Sequence, residues 1–221
     1  MTDKELNMRI FRALLEIREK NTNTSGKSFE NEVYNVFKKH LKTKNDDKIV
    51  CKVSNDGTPI DGVKRKDGDN LVTDNGVHIV VQPNKTQSWP DMLVVNKGKA
   101  LCFEIKSSKT GEIVWNSGFP KENCIYIYKD RRDNRVYYFH GKDRLHDKSV
   151  ILTDLKDLFD SRLKDRAKKL YSSSVYQPLR DSNITHYTRS MWNDSVKYSN
   201  HSDKNKWIGN VYKFILNYKW N

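Results

Sequence analysis

The chain is poor in cysteine, proline and glycine, with 3, 5 and 10 residues of these types among 221. The cysteines Cys51, Cys102 and Cys124 are odd in number and far apart, and they form no Cys-x-x-Cys pair. These features disfavour both a disulfide framework and a cysteine zinc site. Because Cys102 and Cys124 lie in apolar runs, we expect them to be buried free thiols in a reducing compartment.

Long apolar runs are also missing. No stretch approaches the length of about 18 apolar residues that a membrane-spanning helix needs. The first ten residues, MTDKELNMRI, lack the apolar segment of a signal peptide. We therefore expect an intracellular, cytoplasmic protein without a membrane partner.

Acidic residues are too few to balance the basic ones, since 28 Asp and Glu face 41 Lys and Arg and leave a net charge of +13. The imbalance is strong near the C-terminus, where residues 161–221 contain twelve Lys or Arg, four Asp and no Glu. The same segment holds ten of the 24 aromatic residues. Such a chain predicts a polyanionic partner, and nucleic acid fits better than a membrane surface.

A length of 221 residues predicts a single domain with its own core. Apolar periodicity predicts helices over 2–20, 27–41 and 153–170, and strands over 48–53, 76–82, 92–95, 100–105, 124–128, 136–140 and 150–152. The first helix fits either core packing or a dimer contact. Residues 55–70, rich in Asp and Gly, predict a loop. A loop-rich region is expected over 171–206, and residues 207–220 fit either a strand or a helix.

The most informative stretch runs from Trp89 to Tyr128. Two apolar segments flank a turn within residues 92–105 and predict a β-hairpin. Side chains alternate along a strand, so Glu104 and Lys106 point to one face. Twelve residues separate Asp91 from Glu104, and a hairpin of this length returns Asp91 to Glu104 and Lys106.

Two carboxylates at bonding distance repel each other unless a cation neutralises them. Oxygen ligands suit a hard ion such as Mg²⁺, which retains waters and binds phosphate. Metal-bound water is acidic, the metal stabilises charge on a phosphoryl oxygen, and a lysine beside it can orient the water. The set therefore predicts phosphodiester hydrolysis. In the alternative interpretation, Glu104 and Lys106 are solvent-facing strand residues and Asp91 is a turn residue.

Pro90-Asp91, twelve intervening residues and Glu104-Ile105-Lys106 resemble the motif of the PD-(D/E)xK nuclease superfamily. The continuation is similar to type II restriction endonucleases in Ser107-Ser108-Lys109, Trp115-Asn116, Pro120-Lys121 and Ile125-Tyr126-Ile127-Tyr128. The resemblance covers the middle fifth of the chain. It implies an α/β fold with a mixed central β-sheet flanked by helices, in which residues 27–170 form the catalytic core of a single endonuclease domain. Residues 171–221 would form a loop-rich, basic and aromatic recognition region.

The resemblance also implies roles for single residues. Asp91, Glu104 and the main-chain carbonyl of Ile105 would hold Mg²⁺, and Lys106 would position or activate the attacking water. Glu30, on the predicted helix 27–41, would add an acid to the metal site, or else is an ordinary helix-surface acid. The hydroxyl, amide and basic groups expected to contact phosphates or bases are those of Ser108, Lys109, Asn116, Arg131, Arg132, Arg180 and Arg189.

The implied function is Mg²⁺-dependent cleavage of double-stranded DNA at a short palindromic site. A palindromic target implies a homodimer, and a cell with such an enzyme needs a cognate DNA methyltransferase to protect its own sites. Two alternatives stay open: a structure-specific nuclease, such as a junction resolvase or repair nickase, and a basic nucleic-acid-binding protein without catalysis. The basic, aromatic C-terminal region favours reading of bases over reading of shape.

Overall fold

The computed structural model describes residues 1–20, 24, 26–43, 49–53, 59–65, 76–83, 89–115, 120–145, 158, 161–162, 165–166, 168–169, 192–193 and 197–220. The helices with defined bounds are α1 (Asp3–Glu19), α2 (Lys27–Leu41), α3 (Gly141–Leu145) and α4 (Lys204–Asn217). The strands are β1 (Ile49–Val53), β2 (Pro59–Arg65), β3 (His78–Val81), β4 (Met92–Asn96), β5 (Lys99–Ser108), β6 (Val114–Trp115), β7 (Cys124–Asp130), β8 (Arg135–His140) and β9 (Trp192–Asn193). The described positions between 158 and 169 are helical, in agreement with the predicted helix there.

A five-stranded mixed sheet, in the order β3-β4-β5-β7-β8, forms the centre of the fold. Its β5–β7 pair is parallel and its other pairs are antiparallel. Every residue of β4 and β7 is buried, because the sheet is covered on both faces. The prediction of an α/β fold with a mixed sheet and flanking helices is therefore confirmed. Cys102 and Cys124, register partners on β5 and β7, are buried free thiols as expected.

Helices α1 and α2 cover one face of this sheet. In α1 the spacing of Leu6, Ile10 and Leu14 gives one apolar stripe, and all three side chains are fully buried. The ring of Phe37 on α2 contacts the ring of Phe103 on β5 edge to face, with centroids 4.9 Å apart. The first helix thus packs on the core, which is one of the two possibilities that its sequence leaves open.

The predicted loop over residues 55–70 is wrong in part, because residues 59–65 form β2 and pair antiparallel with β1. The register of the β1–β2 pair shifts between Cys51 and Lys52, as in a β-bulge. Cross-strand pairing here outweighs the turn propensity of Asp and Gly. The strand predicted over 150–152 lies outside the described residues, as does most of 171–206.

The C-terminal segment packs on the core as a helix. Residues 204–217 form α4, which decides between the strand and helix that the sequence permits. Tyr198, Trp207 and Trp220 are almost completely buried. These three aromatic residues therefore stabilise the fold and are not available to stack on bases.

Asn7 on α1 holds the end of the chain in place. Its Nδ2 donates to the carbonyl of Tyr218 at 2.8 Å, and its Oδ1 accepts from Trp220 Nε1 at 2.7 Å. We expect Asn7→Ala to lower the free energy of unfolding by about 2 to 3 kcal/mol, since the buried indole N–H loses its acceptor. Urea unfolding measures this loss. Asn217→Ala, on the exposed end of α4, should cost less than about 0.5 kcal/mol, and equal losses for the two variants would contradict the expectation.

Candidate active site

The β4–β5 hairpin has the predicted form. Asn96 pairs with Lys99, and the two residues between them, Lys97 and Gly98, have φ values of 50° and 74°. Positive φ at both positions defines a type I′ turn, whose twist matches that of paired strands, and Gly98 adopts this conformation without strain. The register this turn sets, with Met92 opposite Phe103, brings the residue before β4 to Glu104.

Asp91, Glu104 and Lys106 meet where the hairpin opens. The Ile105 N–H donates to Asp91 Oδ2 at 2.8 Å, and the Asp91 N–H donates to Glu104 Oε2 at 3.2 Å. Lys106 Nζ lies 2.8 Å from Glu104 Oε1. The Asp91 carbonyl in turn accepts from the N–H of Gln82, just after β3. The main-chain N–H groups of Gln82 and Ile105 thus hold Asp91 in place beside Glu104.

The carbonyl of Ile105 faces the same side of β5 as Asp91. In a strand the N–H and C=O of one residue leave the backbone in the same direction, and the N–H of Ile105 donates to Asp91. The described pairing of β4 with β5 stops at Phe103. The Ile105 carbonyl therefore extends the row of oxygen atoms formed by Asp91 and Glu104.

The environment of the site shifts the pKa of the Asp91 carboxyl close to neutral pH. Burial raises the pKa of Asp91 to about 7 and the Glu104 charge adds to this, while the Ile105 N–H and Lys106 oppose it. Burial alone would lower the pKa of Lys106, but the charge and hydrogen bond of Glu104 outweigh it and leave that pKa raised. Lys106 therefore stays cationic. When Asp91 is ionised as well, the two carboxylates carry more negative charge than the single ammonium of Lys106 can balance.

These residues fit a hard cation such as Mg²⁺. The site offers two carboxylates and one carbonyl, and Mg²⁺ commonly takes one or two carboxylates and completes its shell with waters and phosphate. Within the described ranges, no group of three or more His, Cys, Asp or Glu is placed to hold a metal. Asp91 and Glu104 thus form a pair of acids, to which Glu30 is not placed as a third ligand.

Glu30 and Glu32, the two acids on α2, are both half-buried. The Oε2 of Glu30 lies 3.0 Å from Lys27 Nζ. Glu32 instead accepts a hydrogen bond from Thr24 at 2.5 Å. The charge of Glu30 thus contributes to the pKa of Asp91, but the structure does not place Glu30 with Asp91 and Glu104 as a third metal ligand.

The predicted DNA contacts that the structure describes lie at the ends of β5 and β7. Lys109 and Arg131 are exposed, and the Arg131 N–H donates to the carbonyl of Ser108. The guanidinium of Arg132 instead donates to the fully buried carboxylate of Asp130, with a further bond to the Ser199 hydroxyl. Arg132 thus has an internal structural partner. Asn116, Arg180 and Arg189 lie outside the described residues.

Sequence reasoning missed two neighbours of the site. Gln82 is one, because its N–H reaches Asp91 from a backbone with φ of 49°, which no local pattern indicates. Cys124 is another: burial, Cys102 and then the charges of Glu104 and Asp91 raise the pKa of its thiol.

Ionisation of Asp91 should make the protein less stable as the pH rises from about 4 to about 7. Its pKa is 3.8 ordinarily and about 7 in the folded protein, so in this interval the folded state holds a proton that the unfolded state releases. The free energy of unfolding then falls with rising pH, by about 2 to 4 kcal/mol in total, and levels off above pH 7. Thermal melts of the wild type should show this slope and melts of Asp91→Asn should lack it. Equal slopes would contradict the raised pKa.

None of the described helices is long and apolar enough to cross a membrane. The site itself lies on the central sheet, with its two carboxylates on β5 and just before β4. Any function must be inferred from these residues and their geometry. Comparison of the chain with family models, with curated proteins and with solved structures finds no match in any of the three.

Proposed function

We propose that this protein is a Mg²⁺-dependent endonuclease that cleaves double-stranded DNA, of the type II restriction class within the PD-(D/E)xK superfamily. The observation that carries the proposal is the contact set of Asp91, Glu104 and Lys106 at the open end of the hairpin. The alternative, in which Glu104 and Lys106 are solvent-facing strand residues, does not explain this contact set, because Glu104 is only 5% exposed. Burial of a carboxylate costs free energy, and such groups are concentrated at functional sites.

The residues divide the work of hydrolysis between them. Asp91, Glu104 and the Ile105 carbonyl would hold Mg²⁺, which when bound acidifies water and stabilises charge on the phosphate. The Ile105 N–H fixes the Asp91 carboxylate before any ligand arrives, so little reorganisation is needed. The Lys106 ammonium is held by Glu104 at 2.8 Å, beside the place where the attacking water must lie, and would orient that water.

Double-stranded DNA is the substrate best matched to the charge of the chain. A net charge of +13 favours binding to a phosphate backbone. The exposed cations Lys109 and Arg131 lie just beyond the ends of β5, the strand that carries Glu104, and of β7. A short palindromic target would require a homodimer with two symmetric sites, together with a cognate methyltransferase. Residues 171–221, apart from the buried Tyr198, Trp207 and Trp220, are the proposed source of base recognition.

The test is incubation of purified protein with a sequenced plasmid, with Mg²⁺ and separately with EDTA, followed by gel analysis. Discrete fragments that require Mg²⁺ support the proposal, and their mapped ends give the recognition site. A smear, or cleavage confined to branched DNA, would instead support the structure-specific nuclease. Intact DNA with a retarded band would overturn the catalytic assignment and leave a binding protein.

A further inference from the structure

Asp130, the last residue of β7, lies on the face of the sheet that carries Glu104 and Lys106. In the parallel pair of β5 and β7, Lys106 is opposite Tyr128 and Ser108 is opposite Asp130. Because side chains alternate along a strand, positions 104, 106 and 108 of β5 share a face with positions 126, 128 and 130 of β7. Two residues of a strand span about 7 Å. The register therefore places the Asp130 carboxylate one step of this alternation beyond Lys106, on the neighbouring strand.

The guanidinium of Arg132 is held in one orientation against this carboxylate. Its Nε donates to Asp130 Oδ1 at 3.0 Å, and its Nη2 donates both to Asp130 Oδ2 at 2.5 Å and to the Ser199 hydroxyl at 2.8 Å. The Asp130 side chain is fully buried, whereas that of Arg132 is 32% exposed. A guanidinium has five N–H donors, and the two of Nη1 have no partner among the residues that the structure describes. A buried carboxylate thus orients a partly exposed cation that has donors to spare.

Gly111, in the turn after β5, leaves the space that this guanidinium occupies. A Cβ built on Gly111 would lie 2.1 Å from Arg132 Nη2, and the φ of 82° is one that side chains rarely adopt. The Gly111 carbonyl also accepts from the Tyr198 N–H at 2.9 Å, which fixes the segment that carries Ser199. Three separate parts of the chain therefore hold Arg132: the end of β7, the turn after β5 and the segment before α4.

We propose that Arg132 binds a phosphate of the DNA backbone beside the scissile one, and that Asp130 and Gly111 are positioning residues that orient its guanidinium. Arginine is always charged and donates to phosphate through planar, directed N–H groups, so an orientation fixed in advance favours binding. A bond that only fastened Ser199 would need Nη2 alone. The inference rests on the proposed function in taking DNA as the ligand, and it adds an anion site where the catalytic core meets the C-terminal segment.

The double variant Asp130→Asn/Arg132→Gln separates phosphate binding from ion pairing. It leaves the net charge of the chain unchanged and leaves no unpaired buried charge. If the pair serves the fold alone, a folded double variant therefore binds DNA as the wild type does.

Arg12→Gln is the control, because Arg12 is exposed on α1, on the opposite face of the sheet. That face is shown by Tyr138, which donates to the Leu14 carbonyl and alternates along β8 with Tyr137, a contact of Tyr198.

DNA binding is measured by fluorescence anisotropy of a labelled duplex in EDTA, at several salt concentrations. The double variant should bind about 3- to 10-fold more weakly, and its slope of log affinity against log salt should fall by about 1, as for loss of one phosphate contact. Gly111→Ala keeps both charges but displaces the guanidinium, and it should weaken binding as well. Arg12→Gln should leave the slope unchanged. A double variant with the wild-type slope and affinity would overturn the role of Arg132 without affecting the nuclease assignment.

Chemical modification of the wild type decides the question even if the double variant does not fold. Phenylglyoxal reacts with accessible arginines, and peptide mass spectrometry identifies each modified residue. A saturating duplex should slow modification of Arg132 about threefold or more, because a bound phosphate covers its spare donors, while Arg12 reacts at the same rate with and without DNA. An unchanged rate at Arg132 would overturn the proposal, as would a duplex that fails to bind. If the wild type cuts no DNA while Arg132 is still protected, the nuclease function falls and the phosphate site stands.

Discussion

Asp91→Asn should slow DNA cleavage by about 10³-fold or more while leaving DNA binding within about threefold of the wild type. The substitution keeps the shape of the side chain but removes the charge that would hold the metal. It also keeps a carbonyl oxygen that can accept the bond from the Ile105 N–H. Because Asp91 is protonated over much of the acidic range, the variant should fold at least as well as the wild type below pH 7.

The measurement combines a gel assay of plasmid cleavage with a retardation assay in EDTA. Asp203→Asn is the matched control, since it removes the same charge at the start of α4 and should leave the cleavage rate unchanged. Loss of cleavage together with loss of binding would show that Asp91 acts on the fold and not on the chemistry. Cleavage at the wild-type rate would refute the site altogether.

Local patterns predicted the elements that position this site. The bounds of α2 follow from its apolar period, and the hairpin follows from a two-residue turn at Lys97 and Gly98 between apolar runs. Once the turn is fixed, strand alternation and register bring Asp91 to Glu104, because each residue of a strand has a determined face and partner. That part of the site was therefore encoded within a short stretch of sequence.

The remaining features depend on contacts between distant residues. The pairing of β2 with β1, across a stretch rich in turn-forming residues, is decided by tertiary structure. The hydrogen bond from the Arg132 guanidinium to the Ser199 hydroxyl requires the C-terminal segment to be in place. The raised pKa of Asp91 depends on burial beneath surrounding elements. None of these features can be predicted from a short local stretch of sequence.

Lys106→Met should slow cleavage by about 10²-fold and destabilise the protein by about 3 kcal/mol at pH 8. The first effect follows from loss of the group that would orient the attacking water. The second follows because Glu104, whose side chain is only 7% exposed, loses the ammonium 2.8 Å away and is left as a buried charge beside Asp91. Lys99→Met, at the exposed start of the same strand, is the control and should change stability by less than about 0.5 kcal/mol.

Mg²⁺ should recover much of the stability that Lys106→Met loses. A cation bound by Asp91 and Glu104 supplies the missing positive charge to the folded state alone. The Mg²⁺-dependent rise in melting temperature should therefore be larger in the variant than in the wild type. A variant as stable as the wild type, or one that responds to Mg²⁺ no more strongly, would show that Lys106 does not neutralise the carboxylate pair.

The double variant Glu104→Gln/Lys106→Met separates stability from chemistry. Removing both charges leaves neither an unpaired carboxylate nor an unpaired ammonium, so unfolding measurements should recover most of the stability lost in Lys106→Met. Cleavage should be slower still than in Lys106→Met, since a proposed metal ligand is also gone. If the double variant is instead destabilised by the sum of the two single losses, the pair is not coupled. The 2.8 Å contact would then not stabilise the fold.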